Sequence, residues 1–176
     1  MKRRESRSLA PLDCVVLAVD TAQVSGWCIM VRGLFVAASQ GDLLRFPHMP
    51  ETACITALEL GRCNALPVVL VYERPFRGNT QGQYIGAWKT AWSAAGGVKS
   101  RTVGVYPPTW RARVLGPGWA RAERDAARRF EAQVAQHLSA RTCDPDEAAA
   151  VCIAKWGAHA GEVLKKLPAS ARKGAA

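Results

Sequence analysis

Two continuous apolar runs, each followed by a carboxylate, constrain the fold of this chain more than any other feature. VVLAV at residues 15–19 leads into Asp20, and LPVVLVY at residues 66–72 leads into Glu73. Apolar runs of this length are typical of strands buried on both faces of a sheet, and such sheets carry helices on both sides. If the two strands are neighbours, both carboxylates emerge at the same edge of the sheet.

The remaining elements alternate in a way that indicates an α/β fold. Two strands around a turn at Arg32 and Gly33 form an antiparallel meander with the first apolar run. The predicted order β-β-β-α-β-α-β-α-α indicates a mixed sheet, with a three-stranded antiparallel meander plus parallel strands, flanked by helices on both faces. After the first strand, the predicted segments are strands 26–33 and 34–43, helix 51–65, strand 66–73, helix 80–96, strand 100–107, helix 120–138 and helix 144–167.

The length of the chain, 176 residues, suits one domain with a substantial core. We predict that this domain covers residues 13–167, between a flexible basic arm at residues 1–12 and a flexible tail at residues 168–176. The arm is not followed by the apolar segment of a signal peptide, and no stretch reaches the roughly 18 uncharged apolar residues of a spanning helix. We therefore expect a cytoplasmic protein with no membrane partner.

The charge of the chain favours a polyanionic partner. Lys and Arg outnumber Asp and Glu by 24 to 14, for a formal net charge of +10. A basic excess of this size favours nucleic acid over a small neutral ligand, although it could also serve only solubility. The six cysteines include no CxxC pair and lie mostly in apolar runs, which indicates reduced core residues.

A second group of carboxylates opens the last predicted helix. Asp144 and Glu147 are spaced i, i+3, which puts them on one face of a helix, while Asp146 between them points elsewhere. If these two joined Asp20 and Glu73, four carboxylates would repel one another unless a divalent cation bound them, and Mg²⁺ prefers such oxygen ligands. Each site also has a simpler interpretation, namely a strand-end turn at Asp20, a surface ion pair at Glu73 and a helix capping box at Asp144 and Glu147.

Four stretches of the chain together resemble the RuvC family of Holliday-junction resolvases, which are RNase H-like nucleases. They follow the family's order from about residue 14 to residue 156, and no single one is specific. The first is a buried strand ending in Asp with a glycine-led second strand, and the second is a strand ending in Glu with an aromatic three residues on. The stretches are VVLAVDTAQVSGWCIM, LVYERPF, VYPPTWRARVLGPGWARAE and DPDEAAAVCIA.

The resemblance implies an active site with two Mg²⁺ ions, for which Mn²⁺ could substitute. Carried over by motif, the catalytic residues and metal ligands are Asp20, Glu73, Asp144 and Glu147. The fourth position is Glu where the resolvases usually have Asp. It therefore stays open which of Asp144, Asp146 and Glu147 bind metal.

The resemblance also implies DNA contacts. Phe76 matches an aromatic that wedges into the junction core, which suits the known insertion of apolar side chains between base steps, although a core position is the alternative. Arg111 and Arg121 fall where the family usually carries lysine, and arginine can neutralise a phosphate but cannot give up a proton. For Lys89 and Arg113 the alternative is a solvated basic face. The full set of expected DNA-binding residues is Arg74, Phe76, Arg77, Lys89, Arg111, Arg113 and Arg121.

The implied function is that of a homodimeric, Mg²⁺-dependent, structure-selective endodeoxyribonuclease. It would resolve four-way junctions by paired symmetric nicks in recombination, repair or phage DNA processing, because two sites related by a two-fold axis suit such a substrate. Trp88 and Trp92, spaced i, i+4, belong either to the dimer interface or to the core. The alternatives are another RNase H-like nuclease acting on branched DNA or RNA–DNA hybrids, and a non-catalytic junction-binding protein.

Overall fold

A mixed five-stranded sheet forms the centre of the computed structural model, which describes residues 10–74, 82–119 and 123–172. The strand order is β3-β2-β1-β4-β5. β1 is antiparallel to β2 and β2 to β3, whereas β1 is parallel to β4 and β4 to β5. The predicted meander and mixed sheet are thus confirmed. The strands are β1 Val15–Asp20, β2 Val24–Val31, β3 Leu34–Asp42, β4 Val68–Glu73 and β5 Thr102–Val105.

Helices cover both faces of this sheet. The five longer ones are α1 Met49–Cys63, α2 Gly82–Ala94, α3 Pro107–Val114, α4 Arg124–Ser139 and α5 Pro145–Gly157. Two short helices follow, α6 Gly161–Leu164 and α7 Ala169–Arg172. In the part of the chain that the structure describes, no helix is both long and apolar enough to cross a membrane.

The alternation of side chains along β1 divides the interior into two cores. Val16 and Ala18 lie in the core under α3, α4 and α5, whereas Val15, Leu17 and Val19 lie in the core under α1 and α2. Successive side chains of a strand point to opposite faces, so an apolar run without polar interruptions fills both cores. This is why the continuous runs predicted buried central strands correctly.

The region after β5 differs from the sequence prediction. We expected a strand closed by two prolines, but the strand ends at Val105 and the prolines begin helix α3. Proline is well suited to the first turn of a helix, because its fixed backbone angle fits and no N–H is needed there. The predicted helix over 144–167 is also divided, since Ala160 has extended backbone angles between α5 and α6.

Both ends of the described chain are tied to the domain. Leu12 is fully buried, and its backbone N–H donates to the carbonyl of Ala158 at 2.8 Å. At the other end, α7 lies within the segment for which we expected a flexible tail, and the Nε of Arg172 donates to the carbonyl of Leu167 at 2.7 Å. The rest of the expected arm and tail, residues 1–9 and 173–176, lies outside the described residues.

Candidate active site

The carboxyl ends of β1 and β4 bring Asp20 and Glu73 together. Val19 pairs with Tyr72 in the parallel ladder, so the next residue of each strand lies at the same edge of the sheet. The hydroxyl of Thr21 donates to the backbone carbonyl of Glu73 at 2.8 Å, which fastens the turn after β1 to the end of β4. The convergence that the sequence suggested on condition of neighbouring strands is therefore present.

Gly26 allows a helix to approach this edge closely. It pairs with Asp20 across β1 and β2, and the start of α5 lies against it. A Cβ atom on Gly26 would lie 1.9 Å from the backbone oxygen of Asp146, a distance that no side chain could occupy. The absence of a side chain therefore lets α5 bring the carboxylate of Asp146 close enough to Asp20 to raise its pKa.

A fourth carboxylate, Glu131, comes from the buried face of α4. Its side chain is 1% exposed, and its Oε1 accepts a hydrogen bond from the Nε of Arg111 at 2.7 Å. Glu131 was not among the residues expected from the sequence, because a carboxylate on a highly charged helix usually lies on the solvated face. A signal was available, since Ala127 and Ala135 lie four residues before and after it and are both buried.

Burial and mutual repulsion raise the pKa values of these carboxylates. The pKa of Asp20 is raised well above its ordinary value, first by burial and then by the charges of Glu73 and Asp146. Burial raises the pKa of Glu73 to about 7, against the opposing effects of Trp110 and Arg111. Such shifts arise where carboxylates are removed from water and, at Asp20, also lie close to other negative charges.

The donor chemistry of the cluster fits a hard divalent cation, because such ions prefer carboxylate oxygens. In this structure, however, three carboxylates already accept hydrogen bonds from protein groups, namely Glu73 from Trp110 at 2.7 Å, Glu131 from Arg111, and Asp146 from Arg128 at 3.4 Å. Among the described residues, no group of three or more His, Cys, Asp or Glu side chains is arranged to hold a metal ion.

Asp144 and Glu147 form the helix cap that the sequence analysis gave as their simpler interpretation. They form a capping box at the start of α5, in which a carboxylate oxygen of Glu147 accepts the backbone N–H of Asp144 at 3.2 Å. Glu147 is buried and pairs with Arg141, which also donates to the carbonyl of Ala38 on β3 at 2.9 Å. Of the acidic residues at this helix start, Asp146 is the one whose charge acts on Asp20.

Two of the expected DNA-binding residues, Lys89 and Arg74, are exposed and contact tyrosine rings near Glu73, the buried Tyr72 and the exposed Tyr106. The Nζ of Lys89 lies 4.6 Å from the centre of the Tyr72 ring. The guanidinium of Arg74 lies 5.7 Å from the centre of the Tyr106 ring. Burial is the largest single effect on the pKa of Tyr72 and raises it. Lys89 and Arg74 together lower it by more, so the pKa of Tyr72 lies below its ordinary value. A cationic surface therefore borders the carboxylates on the β4 side.

The other expected DNA-binding residues are placed less uniformly. Arg111 lies in the site itself, where it contacts Glu131 and the Trp110 ring. Arg113 donates to the carbonyl of His159 at 3.1 Å instead. Phe76, Arg77 and Arg121 lie outside the described residues.

The sequence analysis also missed two arginines of α4. Arg124 and Arg128 are one helical turn apart, and both lower the pKa of Asp146, although burial raises it by more.

Comparison with known proteins gives a match to solved structures. No family model and no curated protein sequence matches the chain. The structure of Thermus thermophilus RuvC is similar over 82% of this chain and 93% of that one, with a TM-score of 0.58 and 17% identity. T. thermophilus RuvC in complex with a Holliday junction substrate is similar over the same shares, with a TM-score of 0.57 and 15% identity. The chain therefore has the RNase H-like fold of RuvC, as the resemblance implied.

Proposed function

We propose that this chain is a RuvC-type resolvase, a divalent-metal-dependent endodeoxyribonuclease that cuts four-way DNA junctions. The observation that carries the proposal is the meeting of Asp20, Glu73 and Asp146, each from a different element, at one edge of the sheet. The similarity to RuvC, one structure of which is a complex with a Holliday junction, supports the choice of substrate.

The metal ligands that we propose are Asp20, Glu73 and Asp146, with Glu131 behind them. This set differs from the motif-based expectation, because the capping box directs Glu147 towards Arg141 and leaves Asp146 near Asp20. When bound, two Mg²⁺ or Mn²⁺ ions would supply activation of the attacking water and stabilisation of the leaving 3′ oxygen.

Groups of the chain itself hold these carboxylates in place. The indole N–H of Trp110 donates to Oε2 of Glu73, which fixes the rotation of that carboxylate and leaves Oε1 free of this bond. The guanidinium of Arg111 lies close enough to Glu73 to lower its pKa, and we assign it the neutralisation of the scissile phosphate. Because arginine stays protonated in proteins, Arg111 would provide charge and hydrogen bonds rather than a proton.

We propose that the junction binds across the basic surface that borders the carboxylates. Arg74 and Lys89 would contact phosphates on the β4 side, and the formal charge of +10 would supply affinity that falls with salt. Phe76 and Arg77 lie two and three residues after Arg74 in the chain. The wedge function that the resemblance implies therefore stays part of this proposal, as does phosphate binding by Arg121.

The proposed assembly is a two-fold dimer. Trp88 and Trp92 are 0% and 1% exposed and belong to the core, so they do not form the interface. The opposite face of α2 exposes the small residues Gly82, Gly86 and Thr90 at intervals of four. Small residues allow another helix to come close, and we propose that a second copy of α2 packs there, which would place two active sites for paired nicks.

Cleavage of a labelled synthetic four-way junction tests the proposal. We expect paired symmetric nicks in Mg²⁺, no product in EDTA, and no product from Asp20→Asn, while a linear duplex of matched sequence stays intact. Tight junction binding without cutting in Mg²⁺ or Mn²⁺ would contradict catalysis. Equal cutting of flaps, RNA–DNA hybrids and duplexes would instead indicate another nuclease with the same fold.

A further inference from the structure

The α4 helix carries charged side chains at one-turn spacing along the face that packs on α5. Arg124, Arg128 and Glu131 follow one another at intervals of four and three, which keeps them on the same side of the helix. The Nη2 of Arg128 lies 3.4 Å from Oδ1 of Asp146. Their side chains are 38% and 20% exposed, so this ion pair lies at the mouth of the carboxylate cluster rather than in its interior.

Of the cations that the structure describes, Arg128 acts on the largest number of carboxylates in the cluster. It lowers the pKa values of Asp20, Asp146 and Glu131, although burial is the largest effect on each and raises them. Among the described residues, it is the one positive group with a resolved effect on Asp20. Its charge therefore acts on three of the four carboxylates of the cluster.

The second arginine of the cluster is held differently. Arg111 donates to Glu131 at 2.7 Å, is 21% exposed and stacks over the Trp110 ring with its guanidinium 5.1 Å from the ring centre. Arg128 has the longer hydrogen bond, the greater exposure and no aromatic contact among the described residues. Of the two, Arg128 is the one that can leave without opening the core.

We propose that Arg128 is a resident counter-ion of the carboxylate cluster, which a divalent cation must displace from Asp146 and which then binds a phosphate of the DNA. This inference rests on the proposed function, because it concerns the same metal site. A divalent ion brings twice the charge of a guanidinium and needs the carboxylate oxygens as direct ligands. The displaced guanidinium, already half exposed, suits a phosphate because its planar fork can donate two parallel hydrogen bonds.

The displacement of Arg128 from Asp146 by a metal ion has consequences that a purely structural ion pair would not have. If Arg128 competes with the metal, its removal must tighten metal binding in the absence of DNA. If the released side chain then binds phosphate, its removal must weaken DNA binding only when the metal is present, because without metal it stays on Asp146. The two effects have opposite signs, and together they define a coupling between two ligands.

The test compares full-length wild type, Arg128→Gln and Arg129→Gln. Arg129 is the adjacent residue of α4 and is exposed, so its variant removes the same charge away from the cluster. Mn²⁺ binding is measured by calorimetry without DNA, and junction binding by fluorescence anisotropy in Ca²⁺ and in EDTA. Circular dichroism confirms the fold of each variant, and Arg128→Lys, which keeps a charge at this position, provides a second measurement of the same effect.

We expect Arg128→Gln to bind Mn²⁺ about tenfold more tightly than wild type, within the range of couplings of this kind, and Arg128→Lys to lie between the two. We expect junction affinity of Arg128→Gln to fall severalfold in Ca²⁺ and to match that of Arg129→Gln in EDTA. Unchanged or weaker Mn²⁺ binding by Arg128→Gln overturns the inference and leaves the proposed function standing. Absence of Mn²⁺ binding by the wild type overturns both, whereas tighter binding without any junction cleavage overturns the proposed function alone.

Discussion

The close approach of α5 to Gly26 gives a substitution whose effect can be worked out from distances. In Gly26→Ala, the new Cβ atom would lie 1.9 Å from the backbone oxygen of Asp146 and 2.2 Å from its carbonyl carbon. Ordinary van der Waals contact begins at 3.4 Å, so the start of α5 has to move by about 1.5 Å. Backbone atoms cannot rotate away as a flexible side chain would, and the whole first turn must shift.

The displacement acts on activity more than on stability. Overpacking of a well-packed contact costs about 1–3 kcal/mol of unfolding free energy, which one domain can tolerate. A misplacement of about 1 Å at a catalytic group costs about a hundredfold in rate, and Asp146 moves with the helix. We therefore expect Gly26→Ala to fold, with a lowered Tm, and to cut a four-way junction about a hundredfold more slowly.

Junction cleavage under single-turnover conditions and thermal unfolding of the same samples measure the two effects. The matched control is Gly161→Ala, because a Cβ atom there meets nothing within 4 Å and the position lies on a different helix, α6. This control should keep its cleavage rate. A Gly26→Ala protein that cleaves within about threefold of wild type, a difference well below 1 kcal/mol, would refute the argument that this contact places Asp146.

Three further predictions concern neighbouring groups. Asp146→Asn should lose at least a hundredfold in junction cleavage with little loss of stability, whereas Glu147→Gln should keep most cleavage but lose about 1–3 kcal/mol by urea unfolding, because it weakens a buried ion pair and a cap. Trp110→Phe should slow cleavage about tenfold in a single-turnover assay, because it removes the donor that orients Glu73. The folded-state pKa of Glu73, about 7, lies above its ordinary 4.5, so folded metal-free protein binds this proton more tightly than the unfolded chain. Its stability should therefore fall as pH rises from about 4.5 to 7, by at most about 3 kcal/mol from this group, and urea unfolding of Glu73→Gln should show a flatter dependence.

The two strand-end carboxylates were predictable because their signals are local. A continuous apolar run indicates a buried strand, and the first charged residue after it marks the end of that strand, as it does at Asp20 and Glu73. The mixed sheet and the helices on both faces follow from the alternation of elements. No contact between distant residues had to be known for this part of the fold.

The carboxylates of α5 were not predictable in the same way, because the helical spacing rule fails at a helix end. Asp144 is the N-cap and has an extended backbone, with φ −66° and ψ 159°, so it does not share a face with Glu147 in the way that two residues inside a helix would. The capping box instead turns Glu147 back to the N–H of Asp144. Which carboxylate reaches Asp20 depends on this local geometry and on the room left by Gly26.

The charges of the site explain why its arginines are arranged in two ways. Glu131 and Arg111 form an ion pair whose charges offset each other. The remaining carboxylates are Asp20, Glu73 and Asp146, and among the described residues Arg128 is the cation that forms an ion pair with one of them. With Arg128 in place, three carboxylates and one guanidinium leave a charge of about −2 when all are ionised. With Arg128 displaced and a scissile phosphate added, three carboxylates and one phosphodiester give about −4, which two divalent ions balance. On this count, Arg128 limits the repulsion between the carboxylates in the metal-free protein. When metal and substrate bind, its departure leaves a negative charge that the two divalent ions balance.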